Sequence, residues 1–136
     1  MPAKPAKITP ILVVDTIEPC LPFWTEGLGF EVTVTVRHED AIGFAILTHG
    51  DLELMYQTHT SLEADLGASG APKSLGRELG ESTTTLFVEV ERLDDVIATL
   101  GDAEVVVPRR QTFYGMDEIF VRAPCGTLVA FAARVG

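Results

Sequence analysis

Two carboxylates sit in strand-like, alternating stretches of this chain: Glu53 in "DLELMYQ" (51–57) and Glu89 in "TTTLFVEV" (83–90). Alternate residues of a strand share a face, so Glu53 goes with Met55 and Gln57, and Glu89 with Phe87 and Thr85. A carboxylate on such a face can meet a cationic ligand, act as a general base, or contribute to a metal site. The alternative is structural, an ion pair with an arginine at the rim. The other chemistry-bearing residues are sparse. Cys20 and Cys125 have no C-x-x-C spacing, which argues against a zinc knuckle or a redox pair. His38 and His49 fall in turn-like segments and His59 follows a strand, so surface positions are expected for all three. Asp94 and Asp95 read as the solvated start of a helix. No nucleophile elbow, P-loop or dinucleotide fingerprint appears.

The elements that must position these residues follow from periodicity. A strand is predicted at 7–14, then a helix at 18–27 with Glu18 as cap and Pro19 at its first position. Pro22 has no N–H for the Glu18 carbonyl, so that first turn should be irregular. Strands follow at 30–37, 41–48 and 51–57, the first half-exposed because valine alternates with threonine and glutamate. "THTSLEAD" holds a Thr60-x-x-Glu63 capping box and predicts one or two helical turns. Residues 66–82, rich in Gly, Ser and Ala, read as a mobile linker able to act as a lid. A strand at 83–90, a helix at 92–100, and strands at 103–108, 118–122 and 127–133 complete the chain. The last two form a hairpin in "YGMDEIFVRAPCGTLVAF" (114–131).

The grammar strand-helix-strand-strand-strand therefore occurs twice. Val14 and Val90, just before the two helices, lie 76 residues apart, and Glu53 and Ala130, in the last strand of each half, lie 77 apart. Two landmarks agreeing within one residue mark an internal duplication, and repeats this short usually pack on each other. The expected fold is α+β, two tandem βαβββ modules forming curved mixed sheets around a cleft. The whole of 1–136 is one domain, with module one at about 7–58, a linker at 59–82 and module two at about 83–134. Parity groups Thr9 with Ile11 and Val13, Glu53 with Met55 and Gln57, Thr85 with Phe87 and Glu89, and Ala130 with Leu128 and Ala132. Leu12, Val14, Leu52, Leu54, Leu86, Val88, Val90, Val129 and Phe131 should face the helices.

Composition narrows the class of function. Hydrophobic residues make up 46% and charged ones 22%, an ordinary globular balance. The net charge of −10 disfavours nucleic acid and would concentrate a cationic small molecule. No apolar run approaches a membrane span, and "MPAKPAK" lacks the apolar segment of a secretory signal, so a cytoplasmic protein is expected.

The order of elements, with "FWTEGLGF", "LFVEVERLDDV" and "YGMDEIFVRAPCGTLVAFAA", resembles the vicinal oxygen chelate superfamily over about residues 7–134. That superfamily holds glyoxalases, ring-cleaving dioxygenases, fosfomycin-resistance enzymes and bleomycin-resistance binding proteins. "FWT..LGF" and the "YGMDE" motif look closest to the bleomycin-resistance branch. The resemblance carries the four metal-ligand positions of the metalloenzymes onto Thr9, Glu53, Thr85 and Ala130. Glyoxalase-like members have His or Glu at all four and dioxygenases at three, whereas here Glu53 alone could serve, so no metal and no cofactor are expected. The resemblance also assigns Tyr114 a ligand-stacking ring and implies a homodimer. The expected function is a metal-free protein sequestering an aromatic or cationic ligand, with Thr9, Ile11, Glu53, Met55, Thr85, Phe87, Glu89, Tyr114 and Ala130 as contacts. The alternative is a glyoxalase-like lyase or isomerase, or a dioxygenase-type enzyme, using Glu53.

Overall fold

The computed structural model describes residues 7–67, 81, 84–112 and 114–135, the side chains of 66, 67 and 125 aside. The linker and lid expected over 66–82 fall outside them but for Leu66, Gly67 and Glu81. In chain order the first elements are β1 (Ile11–Val14), a 3-10 turn (Glu18–Cys20) running into α1 (Leu21–Leu28), β2 (Glu31–His38), β3 (Ala41–His49), β4 (Leu52–Thr58) and α2 (His59–Gly67). Then come β5 (Thr85–Glu89), α3 (Leu93–Ile97), β6 (Glu104–Gln111), β7 (Met116–Arg122), a second 3-10 turn (Pro124–Gly126) and β8 (Leu128–Arg134). The irregular opening of the first helix is the 3-10 turn, as the missing N–H of Pro22 requires.

The strands form two four-stranded sheets of one pattern, β1-β4-β3-β2 and β5-β8-β7-β6. In each, the first strand runs parallel to the last of its half and the other pairs are antiparallel. The same mixed order in both halves is the tandem βαβββ duplication that the spacing of landmarks predicts.

The chain divides into two compact units, residues 1–17 with 30–81 and residues 18–29 with 82–136. In the first, Leu12, Val14, Ala45, Leu47, Leu54 and Tyr56 are buried on one face of the sheet. The N-terminal end of α2 lies near that face, since a Cβ on Gly43 of β3 would lie 3.0 Å from the Ser61 Cβ. Thr58, the last residue of β4, caps α2 by accepting the Ser61 N–H at 3.1 Å. Strand and helix abut, so the cap comes from the strand end rather than from Thr60. Leu52, expected to face a helix, is 56% exposed at the β3–β4 turn. β2 is exposed on both faces rather than on one, because it is the free edge of its sheet. β1 is shorter than predicted: residues 7–10 precede it, and Pro10 lacks a donor, though its carbonyl accepts from the Met55 N–H at 2.9 Å.

In the second unit the helix-facing side holds Ile119, Val121, Val129, Phe131 and Ala133, all buried. Helix α1 belongs to this unit, although the sequence places it in the first half. Phe23 of α1 stacks on Phe131 of β8 (6.2 Å) and meets Trp24 edge-on (5.3 Å). The buried Cys20 thiol donates to the Pro124 carbonyl at 3.6 Å, so it is a packing group. Leu93 and Val96 of α3 complete this core.

Candidate ligand-binding site

On the first sheet, the face opposite the core carries Ile11, Met55 and Ile46, joined by the register Ile11↔Met55 and Ile46↔Met55. Ile11 is 54% exposed. Thr9 lies in the segment before β1. Glu53 stands on β4, and its carboxylate accepts from the Lys7 ammonium at 2.9 Å. It is thus half of an ion pair with a lysine where the sequence reading offered an arginine.

On the second sheet, Thr85, Phe87 and Glu89 project from β5 and pair in register with Leu128, Ala130 and Ala132 of β8. Phe87 is 56% exposed while Ala130 and Ala132 are buried. Glu89 lies 3.9 Å from the Arg134 guanidinium, a rim contact of the kind that the structural alternative anticipates.

The register of β7 brings a second carboxylate to this face, since Phe120 pairs with Ala130 and Glu118 with Ala132. Glu118 is fully buried, and Arg110 of β6 donates to its Oε1 from both Nε (3.1 Å) and Nη2 (2.7 Å). The Tyr114 hydroxyl, 3.1 Å from Oε1 and 3.0 Å from Oε2, donates across the two oxygens. Tyr114 thus joins this face through its hydroxyl, with Gly115 (φ 82°) turning the chain behind it as an L side chain rarely can. Glu118 and Arg110 are the site residues that sequence reasoning missed. The available signal was their symmetric placement, four residues either side of Tyr114, in "RRQTFYGMDE".

The neighbouring Arg109 points the other way. Its Nη1 donates to Asp94 at 2.6 Å and its Nε and Nη2 to Asp117 at 2.8–3.2 Å, tying α3 to β6 and β7. The hydrogen bond from Arg109 holds the Asp117 carboxyl below its ordinary value, and Asp117 and Asp94 in turn push Arg109 further above its own. Arg122 bonds Glu104 and the Gly126 carbonyl. The three arginines make specific pairs rather than a diffuse counter-charge.

Of the positions that the resemblance marks for metal, the first unit holds Thr9 and Glu53, the latter engaged by Lys7, and the second holds Thr85 and Ala130. Neither pair by itself offers the several deprotonated ligands that a divalent ion needs. Among the described residues no three of His, Cys, Asp and Glu cluster as ligands. His38 and His49 end β2 and β3, and His59 opens α2 with its Nε2 3.3 Å from Asp15. None of the described helices is long and apolar enough to cross a membrane. On the helix side of the second unit, a groove of about 640 Å³ lies between α1, the α3–β6 turn and the second 3-10 turn, and no predicted contact residue lines it.

Two sheets of identical mixed order, each with an apolar face bearing few polar groups, define a tandem βαβββ domain. The chain belongs to the Glyoxalase/Bleomycin resistance protein/Dioxygenase superfamily, whose family model matches residues 6–131. Among solved structures it is similar to TioX from Micromonospora sp. ML1, at 18% identity and TM-score 0.69 over 96% of this chain and 100% of that one. A glyoxalase/bleomycin resistance protein/dioxygenase from Nocardioides gives 18% identity and TM-score 0.68 over 99% and 87%. The bleomycin-binding protein of Streptomyces verticillus, solved with copper(II)-bleomycin, gives 21% and 0.61 over 98% of both chains. These identities speak to fold alone. No curated protein matches the chain.

Proposed function

We propose that this chain is a small-molecule-binding protein that sequesters an aromatic or cationic ligand without a metal and without converting it. The observation that carries the reading is Phe87, 56% exposed on a sheet face whose opposite side is packed core. A large ring left in water beside the small Ala130 and Ala132 offers an apolar, stackable surface for a planar ligand. Thr85 and Glu89 are the proposed polar contacts there, and the ring of Tyr114 is a proposed stacking contact. Thr9, Ile11, Glu53 and Met55 are the corresponding contacts on the first sheet. Each carboxylate has its own cation: Lys7 for Glu53, Arg134 for Glu89 and Arg110 for Glu118. Aromatic surface rather than unbalanced negative charge therefore drives binding. The Streptomyces bleomycin-binding protein, a fold relative solved with copper(II)-bleomycin, supports a small-molecule ligand.

A thermal-shift screen of cationic aromatics and glycopeptide antibiotics tests the reading. Saturable stabilisation with the ligand recovered unchanged is expected, and Phe87→Ala should weaken binding by roughly tenfold, the worth of one partly buried ring. Turnover of any hit, abolished in Glu53→Gln, would establish the enzyme instead. Metal content is a separate arm: protein purified without added metal should hold far less than one equivalent, and one equivalent of Zn, Ni, Mn or Fe overturns that part. The same reading makes the chain a cytoplasmic homodimer. Val32, Val34 and Val36 on β2 and Val105 and Val106 on β6 leave both free sheet edges apolar and exposed. Light scattering should give twice the chain mass at micromolar concentration.

A further inference from the structure

The geometry points to Glu118 as the ligand-recognising carboxylate of the second sheet, with Tyr114 as a hydroxyl that the ligand replaces. The inference rests on the small-molecule reading above and adds the ligand's chemistry: a planar aromatic group carrying paired N–H donors, such as an amidinium.

Glu118 is 0% exposed on the Phe87–Ala130 face, where burying a charge is costly and an apolar residue would serve the packing better. Its two oxygens are unequally served. Oε1 accepts two charge-assisted bonds from Arg110, at 2.7 and 3.1 Å. Among the described residues Oε2 receives only the Tyr114 hydroxyl, at 3.0 Å, and that single proton is shared with Oε1 at 3.1 Å. An ionised carboxylate has about four acceptor sites, so Oε2 retains acceptor capacity that one shared hydroxyl does not fill. Arg110 holds the group in its orientation, and Tyr114, half-exposed before Gly115, is the weaker and outer donor. A flat cation with two parallel N–H groups would take the place of that hydroxyl and fill Oε2 with a stronger bond. Its ring would then lie against Phe87 and Phe120, which pair with Ala130 from either side of β8.

Benzamidine is the probe, titrated by calorimetry into the whole protein, with benzyl alcohol as the neutral comparison. Tyr114→Phe keeps the ring and removes the competing hydroxyl, so benzamidine should bind about three- to tenfold tighter, while benzyl alcohol binds unchanged. Glu118→Gln should lose about tenfold or more. In wild-type protein carrying ¹³C-labelled glutamate, the Glu118 carboxyl resonance should move with the same midpoint as the heat, a readout that holds even if Glu118→Gln fails to fold. Weaker binding in Tyr114→Phe, or a Glu118 resonance that stays still while benzamidine binds, overturns the proposal. If benzamidine does not bind but other aromatics do and depend on Phe87, this inference falls and the broader reading stands. If nothing binds, both fall.

Discussion

Gly43 lies mid-strand in β3, where glycine is otherwise unfavourable, and its reason is visible in its neighbours. A Cβ built there would stand 2.5 Å from the His38 Cβ and 3.0 Å from both the Cβ and Oγ of Ser61. The His38 and Ser61 Cβ atoms are fixed to backbone, so no rotamer change relieves them. Reaching ordinary carbon contact requires β2 or α2 to move by about 1 Å. Overpacking of this kind costs about 1–3 kcal/mol, and the entropy that alanine removes from the unfolded chain returns about 0.4–1 kcal/mol. Gly43→Ala should therefore destabilise by about 1–2 kcal/mol, a fall in Tm of roughly 4–8 °C. Gly27 on α1 is the internal control, because its added Cβ meets Thr99 Oγ1 at 3.5 Å, an ordinary contact. Gly27→Ala should stabilise by about 0.5 kcal/mol through helix propensity. Denaturant unfolding followed by circular dichroism reads both. Equal or greater stability in Gly43→Ala would show that β2, β3 and α2 are not as closely set as the distances state.

Two further outcomes follow from single interactions. Arg109 lowers the Asp117 pKa from its ordinary 3.8, so this pair's contribution is present above about pH 4 and is lost as acid titrates through the lower folded value. Unfolding between pH 2 and 6 should show that acid limb in the wild type and a shallower one in Asp117→Asn; identical limbs would remove the pair from the account. Thr58→Ala should cost about 1 kcal/mol by uncapping α2, whereas Thr60→Ala should cost measurably less. The reverse order in denaturant melts would restore Thr60 as the cap.

What the sequence made legible was the part governed by local periodicity. Alternation located the eight strands, Pro22 foretold an irregular first turn to the helix, and the 76- and 77-residue spacings exposed the duplication. The association of α1 with the second sheet was not legible, because the helix's apolar positions say that a face is buried but not against which sheet. Arg110 as the partner of Glu118 was missed for a more specific reason. Parity counting assumes an unbroken ladder, and β6 bulges twice, the second time between Val107 and Arg110. Val107 pairs with Phe120 and Arg110 with Glu118, so three steps on β6 match two on β7. Continued without that bulge, the register would set Arg109 against Glu118 and Arg110 against Asp117. The bulge exchanges the two arginines.

That exchange has a physical origin in Pro108. Proline cannot donate to a ladder and is tolerated at a free edge or a bulge, and β6 offers both. With the strand bent there, consecutive arginines are delivered to opposite faces of one hairpin. Arg109 ties Asp94 of α3 to Asp117, which fixes the helix side. Arg110 sustains a buried carboxylate on the side that holds Phe87 and Ala130. One irregular residue thus separates the ion pairs that hold the second unit together from the one that equips its binding face. Arg109 variants should accordingly be felt in stability, and Arg110 variants in what the protein binds.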